Sequence, residues 1–287
     1  MKKILLLLCL NFSILYAVPA GYFNWQDSTA LHDGIRHVSI HTAEPRLMKI
    51  NAVRIDLHTP GITLAANSKD ADYGKPMPDY PAMTIQTKRT KVKDFLMHNR
   101  KMNKNMLVAV NSTPWGPWCK PFNHKYGGNI RLFISDGITI ADRKQNIPAF
   151  ILTDKNKVEI RTVSAQEDRS KFKIAMHGFE IILKNGKVTA KDKNLHPRTC
   201  YGISEDGRYL FFMTVDGRQK FISEGANTIE CAEYLHYFGA SDAINMDGGG
   251  STTLVNWNSK KQQPEILSRQ MFGAERSVAT CLGVIKK

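Results

Sequence analysis

The sequence predicts an α+β fold, in one domain built on a large mixed or antiparallel sheet with a few packed helices. Short apolar stretches alternate with polar ones over 38–64 and 130–188, and turn signals such as Pro60-Gly61 separate them. This alternation is typical of strands joined by hairpins. Helical spacing of apolar residues is confined to two segments. The 287 residues contain no internal repeat or low-complexity tract, so we expect one domain.

Two helices are predicted between the strands. The first covers 87–105, where apolar residues fall on one face and many lysines and arginines on the other. We interpret the basic face as solvated, with a nucleic-acid-binding helix as the alternative. The second covers 227–239 and has recognisable ends: Asn227 as N-cap, Glu230 as its reciprocal partner and Gly239 as the stop.

The first twenty residues predict a signal peptide. A short basic start precedes an apolar run over 4–15, and small residues at 18–20 suit signal peptidase. We expect residues 1–20 to be cleaved and 21–287 to be secreted or periplasmic. A lipoprotein attached through Cys9 is the alternative, although Leu8 is bulky for that motif. No later stretch approaches the roughly 18 apolar residues that a spanning helix needs, so no stable membrane insertion is expected.

Charge and cysteines narrow the function classes. The formal net charge is +14, which favours anionic partners such as phosphate-bearing glycans, or only maintains solubility. We expect no nucleic-acid partner. Four cysteines follow the signal peptide and allow three complete pairings, which the sequence leaves open: they are Cys119, Cys200, Cys231 and Cys281. No CxxC pair occurs among them, so a zinc site built from them is not expected.

A run of three glycines marks the first candidate site. A predicted strand over 243–246 leads into Asp247, then Gly248 to Gly250, then Ser251. Glycine in a sheet weakens it, whereas a glycine run lets backbone N–H groups converge on an anion. A tight hairpin without function is the alternative, but such a hairpin needs only one or two glycines.

Three other clusters carry polar or aromatic groups that could reach the same cleft. Asp216 and Arg218 follow an apolar strand, and Arg198 begins another strand. The planar guanidinium group of arginine suits phosphate. The loop after the strand that ends at Asn111 holds Trp115 and Trp118, which could stack on a sugar or fill an apolar gap under the loop.

The order of these motifs is specific. The segments RTCYGIS, FFMTVDGRQKFISEGANTIECAEYLHYFGASDAINMDGGGSTTLV and AERSVATCLGV follow one another between 198 and 284. Together they closely resemble the phosphodiester glycosidase family, whose bacterial members are described as exopolysaccharide-related proteins. LVAVNSTPW and FKIAMHGFEIILKNGKV resemble the family more loosely, and nothing before residue 38 supports the resemblance.

The resemblance implies that 21–287 is a phosphodiester glycosidase domain. Such an enzyme cleaves the glycosidic bond of a sugar-1-phosphodiester, releases free sugar and leaves a phosphomonoester, without a cofactor or metal. Its substrate is a phosphate-linked sugar or glycan. Carried over residue by residue, the pocket contains Asn111, Arg198, Thr199, Asp216, Arg218, Asp247, Gly248, Gly249, Gly250, Ser251, Glu275 and Arg276. The chain departs from many relatives over 112–115, which leaves the sugar open.

The reaction needs cations and amides around the leaving phosphate and a carboxylate near the ring carbon. We expect Asp247 to be the catalytic carboxylate and Asp216 its orienter or acid partner. Glu275 and Arg276 could instead form a structural ion pair. Two alternative functions remain. One is a metal-dependent phosphodiesterase with both aspartates as ligands, disfavoured because no histidine pair accompanies them. The other is a non-catalytic glycan- or cell-wall-binding protein.

Overall fold

The structure is a computed structural model that describes Val18 and residues 21–118 and 123–287. The predicted signal peptide therefore lies outside the described residues apart from Val18, and so does Cys119. None of the described helices is long and apolar enough to cross a membrane. Cys200, Cys231 and Cys281 are buried free thiols.

The described residues form mostly strands, numbered here in chain order. Before helix α1 (Val92–Lys101) lie β1 (Thr29–His32), β2 (Ile35–Thr42), β3 (Met48–Asp56), β4 (Ile62–Ala66), β5 (Pro76–Met77), β6 (Tyr80–Thr84) and β7 (Thr87–Lys88). Then follow β8 (Met106–Asn111), β9 (Tyr126–Gly127), β10 (Leu132–Ser135), β11 (Ile138–Asp142), β12 (Ile147–Thr153), β13 (Val158–Val163), β14 (Phe172–His177), β15 (Glu180–Lys184), β16 (Lys187–Val188), β17 (Arg198–Ile203) and β18 (Tyr209–Val215). Helix α2 (Thr228–Tyr237) precedes β19 (Asp242–Asn245), β20 (Leu254–Asn258), β21 (Gln263–Ile266) and β22 (Cys281–Lys286).

Three antiparallel sheets organise these strands. The large sheet has eight strands in the order β1-β2-β3-β18-β17-β19-β15-β16. The second sheet has the order β21-β20-β8-β22-β4, and the third has the order β11-β10-β14-β12-β13. Two further pairs, β5-β6 and β7-β9, complete the strands described.

The predicted fold class is confirmed only in part. The sheets are antiparallel and helices pack on them, but the protein is largely β and has several sheets where one large sheet was predicted. Buried strands such as β8 are apolar on both faces. Such a pattern identifies a strand without identifying its partners, because pairing is decided by contacts distant in sequence.

One hydrophobic core is shared by the three sheets. Val53 of the large sheet, Val110 of the second and Phe150 of the third belong to one buried cluster. The helices cover outer faces of the large sheet and the second sheet. Leu235 of α2 packs with Phe211 of the large sheet, and the apolar face of α1 packs on the second sheet. The sheets and helices therefore bury their apolar faces in successive layers.

The two helices differ in how well the sequence predicted their ends. Helix α1 is shorter than predicted, because β7 pairs with β9 before it and β8 begins soon after it. Helix α2 is confirmed: the Asn227 side chain accepts from the Glu230 N–H while the Glu230 carboxylate accepts from the Asn227 N–H. Gly239 follows the helix with φ of 104°, the left-handed conformation typical of a helix end.

The large sheet brings distant segments to one edge. Strand β17 lies between β18 and β19 and is antiparallel to both, so that Arg198 pairs with Val215 and Cys200 with Asn245. The start of β17 therefore lies beside the ends of β18 and β19. Asp216 follows β18 directly, and Asp247 is the second residue after β19.

Candidate active site

A cavity of about 540 Å³ opens at this edge of the large sheet. Its walls come from seven separate runs of the chain. The lining residues are Trp118, Phe179, Glu180, Asp192, His196, Pro197, Arg198, Arg218, Asn245, Met246, Asp247, Gly248, Gly249, Gly250 and Arg276. The prediction that Arg198, Arg218 and the glycine turn share one cleft agrees with this geometry.

Each glycine of the turn has its own steric reason. A Cβ on Gly248 would lie 2.6 Å from the carbonyl oxygen of Pro197, and Gly249 has φ of 61°. A Cβ on Gly250 would lie 2.6 Å from Nη2 of Arg276. Contacts that short do not occur in folded proteins, and a positive φ favours glycine. The run is therefore required by close approaches of backbone and guanidinium groups, which a simple hairpin would not need.

The amide groups of the turn are only partly available to an anion. The Gly249 N–H donates to the carbonyl of Pro197 at 2.9 Å, which joins the turn to the residue before β17. Among the described residues, no backbone carbonyl accepts from the N–H groups of Gly248 or Gly250. The Gly248 N–H faces the Asp247 carboxylate and lowers its pKa, so the predicted cluster of converging amides is reduced to the Gly250 N–H.

Asp247 is almost fully buried where the large sheet meets the second sheet. Its Oδ2 accepts a hydrogen bond from Nε1 of Trp115 at 3.1 Å, while Oδ1 has no hydrogen-bond partner of good geometry among the described residues. Burial raises the pKa of Asp247 to about 7, and the nearby Ser251 hydroxyl and Arg276 charge oppose part of that rise. A carboxyl group whose pKa lies near neutral pH, and which borders a cavity, can act as a base or nucleophile.

Two arginines approach the turn without a carboxylate partner in the described chain. Nη1 of Arg218 lies 3.3 Å from the Cβ position of Gly249, and its Nη2 contacts Nδ1 of His196 at 2.8 Å. Arg276 lies against Gly250 and makes no hydrogen bond or ion pair with the described residues. Their positive charges are therefore available to a bound anion.

Arg198 is more constrained. Its Nε donates to the carbonyl of Ala226 at 3.0 Å, and its Nη2 donates to Asp192 at 2.9 Å and to the carbonyl of Asn194 at 2.7 Å. These bonds leave Nη1 without a partner among the described residues. Arg198 thus fixes the cavity wall and offers one remaining edge to a ligand.

Asn111 and Thr199 are predicted site residues that do not line the cavity. The Asn111 side chain donates to the backbone carbonyl of Asp247 at 2.6 Å and accepts from the Thr199 hydroxyl at 2.8 Å and the Thr253 N–H at 3.0 Å. These bonds connect the ends of β8 and β19 with the start of β17. Asn111 therefore holds the backbone of Asp247 directly, and Thr199 holds Asn111 in place.

Asp216 does not line the cavity either. Its Oδ1 accepts from the Arg269 N–H at 2.9 Å, and its Oδ2 lies 3.8 Å from Nζ of Lys49. Burial raises its pKa to about 6, while the Arg269 bond and the Lys49 charge lower it in part. Asp216 anchors the loop that contains Arg269, and none of its bonds within the described residues reaches Asp247, so neither of its two predicted roles toward Asp247 is visible in this geometry.

Glu275 and Ser251 are also outside the cavity lining. Glu275 accepts from the Lys93 N–H at 3.0 Å, so it supplies helix α1 with a cap that Lys91 lacks. Burial raises the pKa of Glu275. It forms no ion pair with Arg276 within the described residues, so the alternative of a structural pair is not what the structure shows. Ser251 is buried beside Asp247.

The two tryptophans have separate positions. Trp115 is buried, and it hydrogen-bonds Asp247 through its indole N–H. Trp118 is 60% exposed, lines the cavity and donates its indole N–H to the carbonyl of Trp115 at 2.5 Å. Only Trp118 can offer a ring face to a bound sugar, whereas Trp115 positions the carboxylate.

Several lining residues were not among the predicted site residues. His196 contacts Arg218, and Asp192 pairs with Arg198. Phe179 and Glu180 also line the cavity. For His196 the sequence offers one indication: Pro197 restricts the backbone where the chain enters β17, and His196 stands directly before it. Phe179 precedes β15 and Glu180 begins it, in a segment that resembles the family only loosely, and the pairing of β15 with β19 brings both to the cavity. Among the described residues, no three His, Cys, Asp or Glu side chains gather as metal ligands.

The comparisons with known proteins agree with this architecture. A family model for phosphodiester glycosidases matches residues 105–285. The chain is similar to the catalytic domain of zebrafish N-acetylglucosamine-1-phosphodiester alpha-N-acetylglucosaminidase, auto-inhibited by its pro-peptide. That similarity has a TM-score of 0.65 and 16% identity, over 91% of this chain and 87% of that chain. A Synechocystis protein is similar with a TM-score of 0.54 and 14% identity, over 89% and 62% of the two chains. No curated protein matches significantly.

Buried ionisation of Asp247 should lower stability in a pH-dependent way. Its folded pKa of about 7 lies above the ordinary 3.8, so the folded state resists losing this proton. The cost is absent below the ordinary value, grows as pH rises and is complete above about 7. Replacing Asp247 with Asn should therefore raise the free energy of unfolding at about pH 8, by on the order of 2 kcal/mol, and have little effect near pH 4. Urea denaturation at the two pH values measures this.

The exposed Asp136 provides the control, since Asp136→Asn should leave stability unchanged at both pH values. An Asp247→Asn variant that is equally or less stable at pH 8 would show that the carboxylate is compensated in the folded protein.

Proposed function

The chain belongs to the phosphodiester glycosidase family, and from this membership we propose that it hydrolyses the glycosidic bond of a sugar-1-phosphodiester. The products are a free sugar and a phosphomonoester. One observation carries the proposal: a buried carboxylate, Asp247, opens on a cavity in which Arg218 and Arg276 flank the adjoining glycine turn.

The charges match the needs of this reaction. Cleavage of the anomeric C–O bond builds positive charge on the sugar ring and a second negative charge on the leaving phosphate. Arg218 and Arg276 have no carboxylate partner in the described part of the chain and would meet that phosphate as free guanidinium groups, while the Gly250 N–H adds a donor. A phosphate already leaves readily, so no acid partner from Asp216 is required.

Asp247 serves as the base toward water or as the nucleophile at the anomeric carbon. Trp115 holds one carboxylate oxygen and Asn111 holds the backbone carbonyl, so the group is fixed from two directions. Such fixed geometry is what a catalytic carboxylate needs, because small displacements of a reacting group cost much of its effect. Trp118 and Phe179 provide ring faces for the sugar at the cavity wall.

We also propose that the protein acts outside the cytoplasm. The basic and then apolar character of residues 1–20 supports export. Among the similar solved structures is one of a Burkholderia pseudomallei protein named as exported, with a TM-score of 0.56 and 13% identity over 83% of this chain and 74% of that chain.

A panel of methyl esters of sugar 1-phosphates tests the reaction itself. In oxygen-18 water we expect release of methyl phosphate without label and of free reducing sugar that carries the label at its anomeric oxygen, identified by mass, and a fall in kcat/KM of about 10³-fold for Asp247→Asn. Sugar 1-phosphate as product, or activity abolished by a chelator, would indicate cleavage at phosphorus by a metal enzyme. Binding without turnover by the unaltered protein would indicate a glycan-binding function.

The pH dependence of kcat/KM should follow the ionisation of Asp247. The carboxylate acts only when ionised, and its pKa in the free protein is about 7. We therefore expect kcat/KM to rise with pH, to reach half its maximum near 7 and to level off above it. The phosphodiester stays singly charged over this range and adds no titration. A flat profile between about pH 5 and 9 would contradict the assignment of Asp247 as base or nucleophile.

Gly250 and Arg276 should act as one unit. Arg276→Gln removes the positive charge that stabilises the leaving phosphate, and we expect kcat/KM to fall about 10²-fold. Gly250→Ala should push the guanidinium away and lower kcat/KM in the same direction, since its Cβ would lie 2.6 Å from Nη2. Together the two changes should cost little more than Arg276→Gln alone. Arg131→Gln, at an exposed arginine, is the control; fully additive losses would show that Gly250 acts independently of Arg276.

A further inference from the structure

Two neighbouring loops present exposed aromatic tips. The loop 217–223 carries Phe221, which is 79% exposed, and the loop 269–273 carries Phe272, which is 72% exposed. The loops are in contact, because Nη1 of Arg218 lies 3.9 Å from Sδ of Met271. Nε2 of Gln219 also donates to the carbonyl of Arg269 at 3.4 Å. The two loops therefore form one surface that carries both exposed rings, and this surface is named the aromatic rim.

The aromatic rim lies at the mouth of the catalytic cavity without being part of it. Arg218, from the first loop, lines the cavity, and Arg276, three residues after the second loop, lines both the cavity and an adjoining cleft with Phe272. Neither Phe221 nor Phe272 lines the catalytic cavity. A sugar bound beside Asp247 therefore leaves both rings free for another partner.

The charge of the rim indicates the chemistry of that partner. Arg218, Lys220 and Arg269 lie in the two loops, which contain no Asp or Glu. Nζ of Lys220 lies 5.0 Å from the centre of the Phe221 ring. Phe221 has φ of 69°, an uncommon conformation for a bulky residue, so the loop holds this ring outward at a cost in backbone strain. Aromatic rings beside cations are the composition of protein surfaces that lie at the interface of an anionic membrane.

We propose that the aromatic rim docks the cavity mouth on an anionic lipid surface, and that the substrate is a sugar joined through phosphate to a lipid alcohol. This rests on the proposed function. Water supplies its oxygen to the anomeric carbon and the anomeric C–O bond breaks, so the products are free sugar and a lipid phosphomonoester that stays in the membrane. Docking brings the phosphate of such a lipid to Arg218 and Arg276, whereas a soluble phosphodiester gains nothing from the rim.

The test compares vesicle binding and two substrates. Vesicles of equal phosphatidylglycerol and phosphatidylcholine should sediment with the protein, and phosphatidylcholine vesicles or high salt should weaken this binding. The double variant Phe221→Ser with Phe272→Ser should lose at least tenfold in partition to the anionic vesicles. Ile138→Ser, at a residue 53% exposed on β11, is the matched control and should bind as the unaltered protein does.

Substrates separate this proposal from the proposed function. The methyl and dodecyl phosphodiesters of one sugar, the latter in anionic vesicles, should both be cleaved. The double variant should keep the methyl ester rate within twofold and lose at least tenfold on the dodecyl ester. Failure to cleave either ester overturns the proposed function, whether or not the rim binds vesicles. Cleavage of the methyl ester without vesicle binding, equal loss on both esters, or self-association through the rim overturns the docking proposal.

Discussion

The turn from Gly248 to Gly250 is the constraint on which the site depends. Its close approach to Pro197 joins it to the start of β17, and its lack of side chains lets Arg218 and Arg276 approach the backbone from two sides. Any Cβ at Gly250 would displace a guanidinium group from its place near Asp247. Because glycine alone permits both the positive φ and these contacts, the local sequence determines how densely positive charge gathers around the carboxylate.

The site also depends on a joint between two sheets. Asn111 ends β8 of the second sheet, and its side chain bonds to Asp247 beyond β19 and to Thr199 of β17 in the large sheet. One buried amide therefore uses its donor and acceptor groups to fix the carboxylate relative to the cavity wall. Buried polar groups that are fully bonded in this way hold a single geometry, because any alternative leaves one of them unpaired.

Asp216 and Asp247, two buried aspartates of the described chain, have different surroundings. Asp216 accepts a backbone bond from Arg269 and faces Lys49, so it holds a loop at the cavity mouth. Asp247 receives less compensation and its pKa is raised further, to about 7, compared with about 6 for Asp216. A poorly compensated buried charge destabilises a fold, and it persists where chemistry requires a carboxylate in a dry, fixed position.

The sequence by itself determined the ends of α2, the presence of strands joined by turns, and the glycine turn with the arginines that line the cavity beside it. These features depend on local preferences: Asn227 caps its own helix, and Asp247 follows its own strand. Only the tertiary structure decided that there are three sheets, that Asp216 and Glu275 turn away from the cavity, and that Phe179 and Glu180 line it. Strand pairing and side-chain burial depend on residues distant in the chain, and local pattern carries no information about them.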